Sequence, residues 1–169
     1  MKKVIKKSSL VIAILVSLVI FVKIISSEGE NKNRETPIQE KEIQEIVEVA
    51  EVIDGDTIRL KSGRFLRYIG IDTPEREECF YEEAKEENKK FLQEGKIRIV
   101  KDVSENDKYG RLLRYVYLGH ASISHHLVRE GFARAANFPP DEKFKEELKA
   151  AEVDARENGR GMWGEDVCK

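Results

Sequence analysis

Five short runs of β-branched and aromatic residues, IVEVAEVID (46–54), TIRL (57–60), RFLRYIGI (64–71), IRIV (97–100) and RLLRYVYL (111–118), constrain this chain most strongly. Each has strand length, and Asp-Gly, Lys-Ser-Gly and the polar loop around Asn106 separate them. Between the third and fourth lies YEEAKEENKKFLQEG (81–95), with Ala84, Asn88, Phe91 and Leu92 at helical spacing and Gly95 as its stop. Two further helical patterns follow the fifth run. SISHHLVREG (122–131) turns Ile123 and Leu127 inward, and DEKFKEELKAAEVDARENG (141–159) carries a stripe of Phe144, Leu148, Ala151 and Ala155. The order describes an α+β domain, an OB-fold in which a five-stranded β-barrel with three α-helices places one helix between its third and fourth strands.

The ends bound the rest. Lys2, Lys3, Lys6 and Lys7 precede the apolar run Leu10 to Val22. This matches the basic and apolar regions of a secretion signal, or, if retained, a single-span membrane anchor, so residues 1–25 are expected to carry the domain out of the cytoplasm. Residues 26–45 are polar, charged and interrupted by Pro37, which suits a solvated linker, and the folded domain is expected over 46–169. Lys and Arg number 30 against 32 Asp and Glu, so bulk charge draws the molecule to no polyanion, and affinity for one needs a local basic patch or a bound cation. In an oxidising space the two cysteines, Cys79 and Cys168, suggest one disulfide; free thiols and a metal pair are the competing readings.

VIDGDTIRL (52–60) sets two acids around one glycine. Asp54-Gly55 between apolar residues is a type I′ hairpin signal, which leaves Asp56 without a turn role. An EF-hand fails here, because Ile58 and Arg59 fall on a ligand position and on the required glycine. A phosphotransferase of the haloacid-dehalogenase type would need a crossover helix after this strand, and another strand follows instead. A plain turn with a solvated aspartate stays open on this segment alone. RYIGIDTPE (67–75) and DKYGR (107–111) then add strand arginines, a further aspartate and a glutamate.

VIDGDT, R-x(4)-DTPE, DKYGR and LVREGFA, in that order, resemble the thermonuclease family, the staphylococcal-nuclease-like domains, over roughly Ile46 to Trp163. The resemblance implies an OB-barrel with three helices and calcium-dependent cleavage of DNA and RNA, leaving 3′-phosphate and 5′-hydroxyl ends. It further implies that Asp56, Asp72 and the Thr73 carbonyl hold Ca2+, that Glu75 is the general base, and that Arg67 and Arg111 grip the phosphate. Lys108 and Tyr109 fall where the family meets the nucleotide's terminal phosphate. The expected partners are a DNA or RNA substrate, and a membrane if the N-terminal segment stays; the expected state is a monomer. A catalytically inactive OB-fold nucleic-acid-binding module is the alternative.

These residue types suit the chemistry. Calcium is a hard cation served by oxygen donors. A phosphodiester gains negative charge as water adds, and planar guanidiniums pair with two phosphate oxygens at once. His125 and His126 are expected to pack or face solvent, and Trp163 to pack against the barrel. The chain departs from the family after Ala136, where NFPP (137–140) leaves only Phe138 as a stacking face, and in the acidic loop REECFYEE (76–83). Arg59, Lys61, Arg64, Lys101 and Lys108 are the cations expected to make binding salt-dependent if they line the groove.

Overall fold

The computed structural model describes residues 44–93 and 95–168. The expected signal or anchor segment and nearly all of the linker lie outside them. Among the described residues no helix is long and apolar enough to cross a membrane.

Three antiparallel strands open the domain: β1 (Gln44–Val52), β2 (Thr57–Leu60) and β3 (Phe65–Tyr68). β5 (Lys96–Val100) pairs with β1, and β6 (Leu112–Leu118) pairs with β5. A parallel pairing of β3 with β6, Leu66 opposite Leu112 and Arg67 opposite Leu113, closes the order β3-β2-β1-β5-β6 into a barrel. The expected five-stranded barrel with three helices is the fold observed. The helices are α1 (Tyr81–Phe91), α2 (Ile123–Arg129) and α3 (Lys145–Glu157), and a 3-10 turn, Gly161–Trp163, follows α3. Alternation along the strands sends Ile58, Leu66, Tyr68, Ile97, Ile99 and Val116 inward, where they meet Ile123 and Leu127 of α2 and Leu148 of α3. Each aliphatic side chain so buried contributes roughly 1.5–3 kcal/mol.

The third run is not one strand. It breaks at Gly70, whose φ of +82° suits glycine, and a Cβ there would lie 2.5 Å from Leu148 Cδ1. Beyond the break, β4 (Ile71–Asp72) leaves the barrel and pairs with β8 (Arg134–Ala135), Asp72 opposite Arg134. A short β7 (Ala121–Ser122) extends β6. α3 starts at Lys145 rather than Asp141, because Asp141 is buried elsewhere: its Oδ1 accepts the amides of Val103 at 2.9 Å and Ser104 at 2.7 Å.

α1 packs with a polar residue at its centre. Asn88 is fully buried, accepts the Tyr68 hydroxyl at 3.0 Å and donates to the Asp54 carbonyl at 2.9 Å. Helix, barrel floor and β1–β2 turn are thereby joined through one side chain.

Candidate active site

The β1–β2 turn is held by Asp54. Its Oδ1 accepts the Asp56 amide at 3.0 Å, and the Thr57 carbonyl accepts the Ile53 amide at 3.0 Å. Gly55 is not needed for a left-handed backbone, so the type I′ reading is wrong for this turn. Its glycine answers a different demand, since a Cβ would stand 2.7 to 2.8 Å from the Thr73 side chain. The turn therefore seats β4 directly against it.

That seating builds the cluster. Thr73 donates to Asp56 Oδ2 from its amide and from its hydroxyl, both at 3.0 Å. The Thr57 hydroxyl donates to Asp56 Oδ1 at 3.1 Å. Arg67, on β3, sets Nη2 3.0 Å from Asp56 Oδ2 and 3.0 Å from Asp72 Oδ1, while its Nη1 donates to the Tyr68 carbonyl at 2.9 Å. One nitrogen thus joins both expected metal carboxylates. They differ in setting: the Asp56 side chain is 8% exposed and that of Asp72 57%. Burial pushes the Asp56 carboxyl up to about 6, against the pull of Arg67 and the Thr73 donors.

Arg111 joins from β6's approach. Asp107 takes its Nε at 2.6 Å and its amide at 2.9 Å, and also the Tyr109 amide at 2.9 Å. Burial raises the Asp107 carboxyl, but these bonds from Arg111 and Tyr109 outweigh it and leave it below the usual range. Arg111 Nη1 then reaches the Thr57 hydroxyl at 3.4 Å, so Thr57 bridges Arg111 to Asp56. Tyr109 stands exposed, with Lys108 and Arg111 5.0 and 5.5 Å from its ring centre. Glu75 lies just past buried Pro74 with an exposed side chain, and its amide donates to Glu78 Oε2 at 2.8 Å.

The structure thus brings Asp56, Arg67, Asp72, Thr73 and Arg111 together, sets Glu75 on the adjoining loop and leaves Lys108 and Tyr109 at the rim. Sequence reasoning missed Thr57, Asn88 and Asp107. Asn88 carried a signal, as a polar residue on the helix's apolar stripe, and so did Asp107, as an aspartate opening a turn whose Gly110 has a φ of +81°. Phe138, the expected stacking face, packs on Ile69, Val100 and Tyr115 and lies 5.4 Å from the Arg67 guanidinium, where it backs that arginine.

Other expectations resolve outside the cluster. His126 Nε2 is 2.8 Å from Glu87 and its ring packs on Phe91, while His125 lies 4.0 Å from Glu147. Trp163 stacks with Arg156 at 3.6 Å and Arg134 at 5.5 Å, and its neighbour Met162 is the buried residue. Four of the expected groove cations have acidic or amide neighbours: Arg59 with Glu51, Lys61 with Glu48, Arg64 with Asn106 and Lys101 with Glu105. Cys79 and Cys168 form a disulfide, Cα atoms 5.7 Å apart, as chains in oxidising compartments do.

Among the described residues no three His, Cys, Asp or Glu side chains converge on one point. Asp56 and Asp72, joined by one nitrogen, are hard oxygen donors, and a buried carboxyl pushed up towards neutrality is one that a cation would relieve. These donors fit a calcium-like ion.

Residues 65–165 match the family model described as "Staphylococcal nuclease homologue". The thermonuclease of Staphylococcus hyicus is 31% identical over 96% of this chain and 99% of its own length. That of Staphylococcus intermedius is 34% identical over 91% and 94%. The endonuclease YncB of Bacillus subtilis is 35% identical over 66% of this chain and 58% of its own.

Proposed function

The chain belongs to the family of staphylococcal nuclease homologues, and on that premise we propose that it is an exported, calcium-dependent nuclease cutting DNA, RNA or both with little sequence specificity. The observation that carries this reading is the single Arg67 nitrogen shared by Asp56 and Asp72 beside a second arginine tied in through Thr57. A surface that merely bound nucleic acid would gain nothing from burying an acid–arginine network at its centre, where desolvation opposes it.

In this reading Arg67 and Arg111 grip the non-bridging oxygens of the scissile phosphate. Both are pre-aimed by acids, Arg67 by Asp56 and Asp72 and Arg111 by Asp107, so little reorganisation accompanies the growth of charge. Glu75, exposed on the loop that follows Thr73 and Pro74, takes the proton of the attacking water, a contribution of typically ~10²–10⁴-fold. The 5′ oxygen leaves, which gives 3′-phosphate and 5′-hydroxyl ends. Asp56, Asp72 and the Thr73 carbonyl would hold the calcium ion, which when bound supplies positive charge to the phosphate. Lys108 and Tyr109 flank the terminal phosphate. The disulfide supports a location outside the cytoplasm.

The test mixes the oxidised full chain with a labelled single strand, in calcium or in chelator, and maps the product ends. Calcium-dependent cuts ending in 3′-phosphate are expected. Tight, calcium-indifferent binding without cutting would overturn the reading and leave a binding module.

A further inference from the structure

Glu75 sits on a loop whose two ends are anchored very differently. At the near end Thr73 is buried and bonded twice to Asp56, so the chain enters the loop from the cluster itself. After Glu75 the amide of Glu75 donates to the Glu78 carboxylate, the Glu78 amide donates back to the Glu75 carbonyl at 2.9 Å, and the Tyr81 amide donates to the Glu78 carbonyl at 3.3 Å as α1 begins. The loop then passes through two left-handed non-glycine residues, Glu77 at φ 76° and Phe80 at φ 74°. Such a backbone is unfavourable for an L side chain and persists only where its surroundings over-determine it.

Two ties supply that restraint, and both reach the same corner. Phe80 packs its ring on Phe132, with centroids 5.4 Å apart, and Cys79 is bonded to Cys168. Phe132 directly follows Gly131, the turn that ends α2. The segment leading to Cys168 is fixed on that turn too: the Met162 amide donates to the Gly131 carbonyl at 2.9 Å, and the backbones of Gly131 and Gly161 approach so closely that a Cβ on either would stand 2.1 to 2.4 Å from the other strand of chain. Met162 is buried there. The far end of the Glu75 loop, four residues beyond the carboxylate, is therefore strapped to the segment that leaves the Gly131–Met162 corner.

We propose that the Cys79–Cys168 disulfide is a positioning device for Glu75, fixing the span and direction of the loop that carries this carboxylate away from Thr73 and the Asp56–Arg67–Asp72 cluster. The inference rests on the nuclease reading above. Without the bond the left-handed residues relax, only the Phe80–Phe132 packing and the first turn of α1 hold the loop's far end, and Glu75 ranges over positions from which it cannot take the proton. Displacement of a catalytic group by about 1 Å can lower the rate ~10²-fold, so reduction lowers kcat by roughly 10- to 100-fold. Arg67, Arg111 and Lys108 lie on other segments, so substrate binding holds.

The experiment measures kcat and KM of the full chain on a fluorogenic single strand, oxidised, reduced and as the double variant Cys79→Ser/Cys168→Ser, below the unfolding temperature of each form. The same comparison is made in a Glu75→Gln background. A fall in kcat with KM held, and no further fall on reduction once Glu75 is Gln, is the expected result. An unchanged kcat, or an equal fall in the Glu75→Gln background, overturns the proposal, because a bond serving only the fold acts independently of that carboxylate. Should the reduced forms not fold, two glycines inserted between Glu77 and Glu78 keep the bond and slacken the strap. The insertion is then expected to lower kcat as reduction would, and an unaffected kcat overturns the proposal. If the oxidised parent itself does not cut, it is the nuclease reading that fails.

Discussion

Thr57 is the smallest group on which the site depends. Its hydroxyl donates to Asp56 and accepts from Arg111, so Thr57→Val, nearly the same shape, leaves a buried carboxylate oxygen short of a donor and cuts the link from Arg111 to the cluster while Asp107 still holds Arg111. We expect stability to fall by about 1–3 kcal/mol in denaturant titration, and kcat to fall on the order of tenfold with folding intact. An unaffected kcat would show that Arg111 does not need the bridge. Arg67→Lys keeps the charge but loses the fork that touches Asp56, Asp72 and the Tyr68 carbonyl together. Loss of one aimed transition-state donor typically lowers kcat by about 10²–10³, and a steady-state assay on a short oligonucleotide measures it. Thr57 was not legible as functional in the sequence, because it acts through a partner that only the closed barrel supplies, whereas Asp107 acts within its own turn on Arg111 four residues on and was passed over as a turn residue. Thr57 and Arg111 are 54 residues apart, and a threonine opening a strand is otherwise unremarked. Asp56 could be separated from Asp54 only by resemblance; the structure adds the physical ground, since Asp54 is used by the turn and Asp56 by the cluster.

At the scale of elements, Asn88 joins α1 to the turn and to the barrel. Asn88→Leu would leave the Tyr68 hydroxyl and the Asp54 carbonyl without their partner. The expected loss is about 2–4 kcal/mol, read as a lower thermal midpoint, together with lower activity as the turn carrying Asp56 loosens. Full stability in that variant would mean that the helix docks by its apolar residues alone. The strands and helices themselves were legible, since β-branched alternation and helical spacing report directly on burial. The break at Gly70 was not. RFLRYIGI reads as one uninterrupted run, and only the approach of Leu148 from α3, 78 positions later, turns Gly70 from a strand residue into a hinge that sends Asp72 to Arg67. The early start expected for α3 failed for a similar reason: Asp141 has a better use as a buried acceptor than as a first-turn acid.

For the whole molecule, charge is organised as pairs rather than as a field. Arg114 holds Glu105 below the usual carboxylate range, and Arg160 does the same for Asp154. A carboxylate depressed in the folded state binds fewer protons than its unfolded counterpart, so its stabilisation is fully present above the ordinary values of 3.8 for Asp and 4.5 for Glu and is lost as pH falls through the folded values. Unfolding midpoints should therefore fall from about pH 4 downwards, while Asp56, raised to about 6 when folded, adds stability as pH falls from neutrality to about 4; midpoints that keep rising below about pH 4 would contradict the pairing. Because Arg59, Lys61 and Lys101 are likewise paired, binding should depend on salt only through the few phosphates met by Arg67, Arg111 and Lys108. A slope of roughly −0.7 per phosphate in a plot of log affinity against log salt should total about −1 to −2, and a much steeper one would mean that the surface pairs open to the strand.

The nuclease reading turns on Glu75, on the loop that follows Thr73, taking the proton from the water that cuts a phosphodiester. The measurement that tests it most directly is the single-turnover rate in calcium on one labelled oligonucleotide, for the parent and for Glu75→Gln, with binding measured in parallel. A loss of about 10²–10⁴-fold in rate at unchanged affinity is expected. Cutting by Glu75→Gln as fast as by the parent would contradict it.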